Sequence, residues 1–331
     1  MPPMSDVALL GLGPWGRNHL RVLCEMGALR SVWDPDADAL SHAPAALRAS
    51  SLEEVLSDTN VRAVVVATPA RTHHALASAA MDAGKDVLVE KPLTLDEGQA
   101  ADLVSRSRRQ GRVLMVGHIT LYHPAIVKLR DLVASGALGR MRYLYANRLN
   151  LGTVRDEEDI LWSFAPHDIA VFLELLDAWP GSLSAHGGNY LKPGRADVTV
   201  THLEFPDGVR GHIFVSWLHP VKEHRLVVIG DRRMATFTDG PDGGRLVLCE
   251  GVPPERGAAP PDPATAVDVP VASSEPLRCE LEHFLDCVRS REEPLTGGQH
   301  GLAVLRVLES ARRSLRQAGG RVVVPMLEAH A

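Results

Sequence analysis

The stretch Val7-Ala-Leu-Leu-Gly-Leu-Gly-Pro-Trp-Gly-Arg-Asn-His-Leu20 decides how the chain is read. Four apolar residues, Val7 to Leu10, run into Gly11, Gly13 and Gly16, and from Asn18 to Met26 apolar residues return at helical spacing. This is strand, glycine turn, helix. Each glycine of GLGPWG has its own physical reason. The first permits the tight turn, the second lets backbone approach a pyrophosphate, and the third lets helix and strand pack closely. The helix start then offers backbone N–H groups and a positive dipole end to phosphate. Pro14 and Trp15 complete the loop and stand with the three glycines as cofactor candidates. A second strand, Leu29 to Trp33, ends at Asp34, 18 residues after Gly16. A carboxylate there accepts hydrogen bonds from ribose hydroxyls and repels a 2′-phosphate, and no Lys or Arg directly follows it, so NAD is expected rather than NADP. Asp34-Pro35-Asp36 also suits a helix start, which leaves a plain helix cap as the other reading of Asp34.

Outward from this unit the alternation continues. Ala63 to Ala67 is almost all valine and alanine, Asp86 to Val89 follows a helical stretch ending at Gly84, and Arg112 to Val116 follows the stretch Asp96 to Arg109. Strands alternating with helices, one of them apolar throughout, predict an α/β fold with a doubly wound parallel sheet over residues 1–120. After Gly117 the pattern changes. A helix from Pro124 to Val133 precedes alternating segments at Met141 to Asn150 and Val198 to Phe205, with further strands at Gly211 to Trp217 and Arg225 to Ile229. Residues 121–331 are therefore expected to form a second, α+β domain on a mixed or antiparallel sheet. The Pro-, Ala- and Gly-rich piece Gly251 to Pro270 reads as a surface loop, and the last helix, about residues 300–316, as one able to pack back on the first domain.

A chain of 331 residues accommodates two domains. Its formal charge of −6, without a long Lys/Arg run, argues against nucleic acid as a partner. Cys24, Cys249, Cys279 and Cys287 form no CxxC pair, so neither a disulfide framework nor a structural zinc site is expected. His73 and His74 open a helix near the cofactor, and no metal is needed there. No run of about 18 apolar residues and no leader-like N-terminus is evident, so a cytoplasmic protein without membrane contact is expected.

Chemistry enters with Ala-Gly-Lys-Asp-Val-Leu-Val-Glu-Lys-Pro-Leu, residues 83–93, which puts Glu90 and Lys91 at the carboxyl end of a buried strand. Ligands bind at that end in open α/β folds. GLGPWG, Asp34, Ala67-Thr68-Pro69 and AGKDVLVEKPL together resemble the Gfo/Idh/MocA oxidoreductase family. The resemblance implies a Rossmann domain followed by a domain with an open, largely antiparallel sheet, and a homodimer or homotetramer formed through that sheet. It implies that Thr68, Pro69, His73, Glu90 and Lys91 lie at the cofactor, that Lys91 faces nicotinamide and substrate, and that the Lys91–Pro92 bond is cis.

The second catalytic candidate is His167 in Ile-Leu-Trp-Ser-Phe-Ala-Pro-His-Asp, residues 160–168, where Pro166 suits a helix start with His167 and Asp168 in its first turn. The resemblance implies a catalytic or substrate-binding His from this helix. Many members carry an Asp four residues earlier, and Ser163 stands there instead; a hydroxyl can hold a sugar hydroxyl but is no carboxylate base. Asp168 reads equally well as a charge favoured by the helix dipole. Oxidation of a secondary alcohol needs a base for the hydroxyl proton and a cation for the developing carbonyl oxygen, roles that suit His167 and Lys91, with the reverse assignment open. Tyr122, Arg148, Asn150 and Arg155 are candidates to line a sugar pocket, the arginines suiting a phosphate or carboxylate. The expectation is an NAD-dependent sugar dehydrogenase acting at C3 of a nucleotide-linked hexose or aminosugar. A 3-ketosugar reductase or inositol dehydrogenase is the alternative within the fold, and a non-catalytic dinucleotide-binding sensor the alternative outside it.

Overall fold

The computed structural model describes residues 5–151, 158–240, 243–250 and 266–326. They form two compact units, Met1–Ile119 with Glu275–Leu305, and Thr120–Ser274 with Arg306–Ala331. The first unit runs β1 (Val7–Leu10), α1 (Gly16–Glu25), β2 (Leu29–Trp33), α2 (Ala37–Leu40), α3 (Leu52–Ser57), β3 (Ala63–Val66), α4 (His73–Asp82), β4 (Asp86–Glu90), α5 (Glu97–Gln110) and β5 (Leu114–Gly117). Its five strands are parallel in the order β2-β1-β3-β4-β5. A parallel bridge from Val32 to Arg48 adds one more rung beyond β2. Counting that rung, the order is the 3-2-1-4-5-6 of dinucleotide-binding sheets, with its switch point between β1 and β3. Every residue of β1, β3, β4 and β5 is buried, which is why β1, β3 and the middle of β4 read as unbroken apolar runs.

The second unit holds α6 (Pro124–Ala134), β6 (Met141–Leu149), α7 (Ile160–Leu176), β7 (Ser182–Gly188), β8 (Val198–Glu204), β9 (Arg210–Ser216), β10 (Glu223–Gly230), β11 (Arg233–Thr238), β12 (Arg245–Glu250) and β13 (Val267–Asp268). Among the described residues they form, with a last short strand at Val322–Val323 (β14), a nine-stranded sheet in the order β13-β12-β11-β10-β6-β9-β8-β7-β14. Only β6 and β9 pair in parallel; the other neighbours are antiparallel. Alternate residues Leu144, Ala146, Ile213 and Val215 are buried on the face that α7 covers, and Tyr143, Tyr145, His212 and Phe214 lie half-buried on the other. That alternation made the strands legible.

Helix α7 differs from its sequence reading. It begins at Ile160, six residues before Pro166, because the Asp159 carboxylate caps it by accepting the Trp162 N–H at 3.0 Å. Proline inside a helix costs about 3 kcal/mol. Burying Ile160, Leu161, Trp162 and Ala165 offsets that, at about 1.5–3 kcal/mol per large side chain. His167 consequently lies in the second turn, one turn beyond Ser163 on the same face.

The chain then re-enters the first unit over Glu275–Leu305, whereas the sequence reading put residues 121–331 in the second domain with only the helix at about 300–316 able to pack back on the first. Helix α8 (Pro276–Ser290) packs on α1, where Arg278 donates to Glu25 at 2.9 Å, and buries Leu277, Leu281 and Phe284; the start of α9 (Gly298–Arg316) follows. Residues 296 and 297 close the open edge of β5: the Val116 N–H bonds the Thr296 carbonyl at 2.8 Å and Met115 bridges Gly297. Arg291 reaches the buried Asp86 at the start of β4 with two nitrogens, at 2.6 and 3.0 Å, while Asp86 also accepts the Val113 N–H at 2.8 Å. Asp86→Ala removes all three bonds and leaves the Val113 N–H buried without an acceptor. The expected loss of stability is about 2–4 kcal/mol, kept below a fully buried pair because Arg291 is partly exposed, and chemical denaturation would measure it.

Candidate active site

The carboxyl ends of β1, β2, β3 and β4 carry residues singled out in the sequence. Gly11 follows β1 with φ +98°, and a Cβ there would lie 2.7 Å from the Ala67 carbonyl carbon at the switch point. A Cβ on Gly16 would lie 2.1 Å from the Gly11 carbonyl oxygen, so this glycine is fixed by helix-to-loop packing. Gly13 is different: nothing stands within 4 Å of its absent Cβ. That is open space above backbone, as a pyrophosphate needs. Asp34, at the end of β2, accepts the Leu12 N–H at 2.7 Å and the Asp36 N–H at 2.8 Å. It therefore steadies the glycine loop, and the cap of α2 is Asp36, which accepts the Asp38 N–H at 2.9 Å. These features fit a dinucleotide.

After β3, Thr68 bonds Thr72 through their hydroxyls at 2.7 Å, and Pro69 begins a short turn. His73 is buried, its two ring nitrogens 2.9 Å from the carbonyls of Pro92 and Thr68. It lies between the loop after β3 and the loop after β4; burial outweighs the two carbonyls and holds its pKa below the ordinary imidazole value, so the neutral ring donates to one of them. His74 instead pairs with Asp102 at 3.0 Å.

Glu90 and Lys91 end β4, and the Lys91–Pro92 bond is cis. The Glu90 carboxylate accepts from His19 Nε2 at 2.8 Å, from the Trp15 indole N–H and, through its other oxygen, from the Lys91 backbone N–H at 3.1 Å. Burial raises its pKa, but His19, Lys91 and Trp15 outweigh burial and keep it anionic. On the next strand end, His118 is buried with its ring 5.4 Å from that of His300, and neither of its nitrogens has a hydrogen-bond partner among the described residues. Burial, then the charges of His300 and Lys91, push its pKa well down, so it is a neutral imidazole beside the ammonium of Lys91. Glu280 of α8 completes this set: it is fully buried, and neither carboxyl oxygen has a hydrogen-bond partner among the described residues. Burial and then the charge of Glu90 raise its pKa well above the ordinary value, so it is a neutral acid. Sequence reasoning missed His19, His118, His300 and Glu280, none of which belongs to a motif.

In the second unit, His167 Nδ1 lies 3.3 Å from the Thr120 hydroxyl, which orients the ring, and Tyr122 is buried nearby in sequence. Arg148 and Asp168 are joined to each other by a two-pronged pair, both bonds 2.9 Å, largely shielded from water. This commits both groups and fixes α7 on β6. Burial lowers the Arg148 pKa, but Asp168 and then Asp239 raise it above the ordinary value. Ser163 is buried one turn before His167, and the Asn150 N–H bonds the Ser216 carbonyl at 3.0 Å. Arg155 lies outside the described residues.

Residues 5–118 match the oxidoreductase family with an NAD-binding Rossmann fold, and residues 126–236 match the GFO/IDH/MocA C-terminal domain. The chain belongs to the Gfo/Idh/MocA oxidoreductase family. Its relatives include the UDP-N-acetylglucosamine 3-dehydrogenase of Acidithiobacillus ferrooxidans, 29% identical over 90% of this chain and 93% of that one. Another is the NAD(+)-dependent scyllo-inositol 2-dehydrogenase of Bacillus subtilis, 26% identical over 93% of each. The solved structure of the former superposes with a TM-score of 0.83, covering 94% of this chain and 98% of its own. This Gfo/Idh/MocA member is accordingly a nicotinamide-dinucleotide-dependent oxidoreductase. Among its described residues no helix is long and apolar enough to cross a membrane.

The neutral Glu280 has a measurable signature. A carboxyl whose pKa is raised on folding costs nothing below its unfolded value, and destabilises increasingly as pH rises from there through the folded value. Glu280→Gln removes that ionisation. The variant's thermal midpoint relative to the native protein is expected to climb between pH 4 and pH 8; a gap that does not change with pH would contradict a raised pKa.

Proposed function

We propose that this enzyme oxidises a ring secondary alcohol of a nucleotide-linked sugar, the C3 hydroxyl of a hexose or aminosugar, with NAD as acceptor. The observation that carries the reading is the ammonium of Lys91 at the sheet's carboxyl edge, backed by anionic Glu90 and neutral His118, in a chain similar throughout its length to a UDP-N-acetylglucosamine 3-dehydrogenase. When bound, the nicotinamide supplies hydride-accepting chemistry. His167, its ring oriented by Thr120, takes the hydroxyl proton; an imidazole does this near neutral pH. Lys91 stabilises the negative charge that grows on the same oxygen. Ser163, one turn from His167, and Tyr122 are proposed to meet sugar hydroxyls. Arg148 and Asp168 are proposed to contribute to the substrate site as a bonded pair, and Asn150 and Arg155 to contact the nucleotide part. Gly11, Gly13, Pro14, Trp15 and Gly16 are proposed to hold the pyrophosphate, with Thr68 and Pro69 beside it. Asp34 is proposed to select NAD by repelling a 2′-phosphate. The similarity to the scyllo-inositol enzyme supports a second reading, an inositol dehydrogenase.

Purified protein with NAD and a panel of free, phosphorylated and nucleotide-linked sugars and inositols is expected to reduce NAD on one nucleotide-linked sugar, and NADP more slowly. Lys91→Ala and His167→Ala are each expected to lower kcat by about 10²–10⁴-fold. Turnover that neither variant alters would refute the site assignment. Turnover confined to inositols would favour the second reading, and tight dinucleotide binding without turnover on any alcohol a sensor.

We also propose that the second sheet's open face joins two or four copies of the chain. That face carries half-buried Tyr143, Tyr145, Val200, His212 and Phe214, with the Tyr145 and His212 rings stacked 5.1 Å apart. Light scattering is expected to give the mass of a dimer or tetramer, and Phe214→Glu to shift it toward monomer; a monomeric native mass would exclude this. The unbridged Cys24, Cys249, Cys279 and Cys287 support the cytoplasm as the compartment.

A further inference from the structure

Glu90 is more than a neighbour of Lys91. Its two carboxylate oxygens collect three donors from three different parts of the chain. Trp15 belongs to the glycine loop and immediately precedes α1. His19 lies one turn into α1 and is fully buried. The third donor is the backbone N–H of Lys91 itself, at 3.1 Å. An indole N–H can only donate, and a carboxylate can only accept, so the polarity of this arrangement is fixed. Two further features hold the carboxylate in place. Glu90 pairs in register with Gly117 on β5, and a Cβ on Gly117 would lie 3.1 Å from the carboxyl carbon, so glycine is what leaves room for it. The neighbouring Glu280 is kept from adding a second negative charge by its burial.

The loop that would receive the pyrophosphate and the residue that would meet the nicotinamide are thus joined through one side chain. We propose that Glu90 is a positioning residue that couples the glycine loop to Lys91, so that the Trp15–Glu90 hydrogen bond sets how well the Lys91 side chain engages the cofactor. The proposal rests on the reading that Lys91 meets the nicotinamide; it does not require the sugar to be known. Coupling of this kind is a free energy shared by two places and can be read from either one. Breaking the strut at Trp15 leaves the Lys91 backbone less constrained, and the Lys91 side chain then contributes less to binding than it does in the native protein.

The test is a double-mutant cycle read by NADH affinity, using the fluorescence of bound reduced nicotinamide and no sugar. Four proteins are compared: native, Trp15→Phe, Lys91→Ala and the double variant. Trp15→Phe keeps an aromatic ring at an exposed position and removes the indole donor together with part of the ring. Independent sites combine to within about twofold, so a departure of about threefold distinguishes residues in one hydrogen-bonded network from them. Lys91→Ala is expected to weaken NADH binding at least about threefold less in the Trp15→Phe background than in the native one. Glu90→Gln, which keeps the shape but not the charge, is expected to blunt the Lys91→Ala effect in the same way; if that variant does not fold, the Trp15 cycle stands alone. Effects that multiply to within about twofold would overturn the proposal, because the loop and Lys91 would then act independently. An NADH affinity unchanged by Lys91→Ala in the native background would also overturn it, leaving nothing for the strut to transmit. Failure to find a sugar substrate would leave this cycle fully readable, so the two readings fail separately.

Discussion

An ionised carboxylate taken out of water costs several kcal/mol unless donors surround it, and removing one partner of such a group exposes the whole of that cost. Glu90 sits under this constraint at the end of β4. His19 and Trp15 come to it from one side of the glycine loop and the Lys91 N–H from the other, and Gly117 leaves the space in which it lies. The first turn of α1, the loop before it and the end of β4 therefore cannot be arranged independently. The buried His73 ring stands between the Pro92 and Thr68 carbonyls and brings the loops after β3 and β4 together at the same edge.

What the sequence made legible was whatever local periodicity or backbone geometry encodes. Val7 to Leu10 and Ala63 to Val66 are apolar because both faces of their strands are covered, and Gly11 and Gly16 are glycines because backbone atoms stand where a Cβ would be. Lys91 could be placed by the strand before it. In the second unit β6, β8, β9 and β10 announced themselves by alternation.

The rest depended on contacts between distant residues. Asp159 could not be recognised as the cap of α7 while Pro166 offered a more obvious start, and the deciding quantity was the burial of five of the six residues between them. β7, β11 and β12 carry weaker patterns and gain their place from pairing with neighbours. Arg148 and Asp168 looked like two separate substrate contacts because nothing in a sequence reveals that residues 20 apart share a two-pronged bond. His118 and His300 come together across 182 positions and Glu280 meets Glu90 across 190, and each alone is an ordinary residue in an ordinary helix or strand end.

The return of residues 275–305 to the first unit has a consequence for synthesis. The partner of Asp86 is Arg291, 205 positions later. At a translation rate of about 5–20 residues per second, roughly 10–40 s pass between the appearance of the two on the ribosome. Throughout that interval the nascent first sheet has an open β5 edge and an apolar α1 flank not yet covered by α8. The intervening chain must be made, and kept from pairing with that edge, before the first half of the molecule can close. A fold drawn as two units in succession is therefore completed in the reverse sense, with the earliest strands among the last to be sealed.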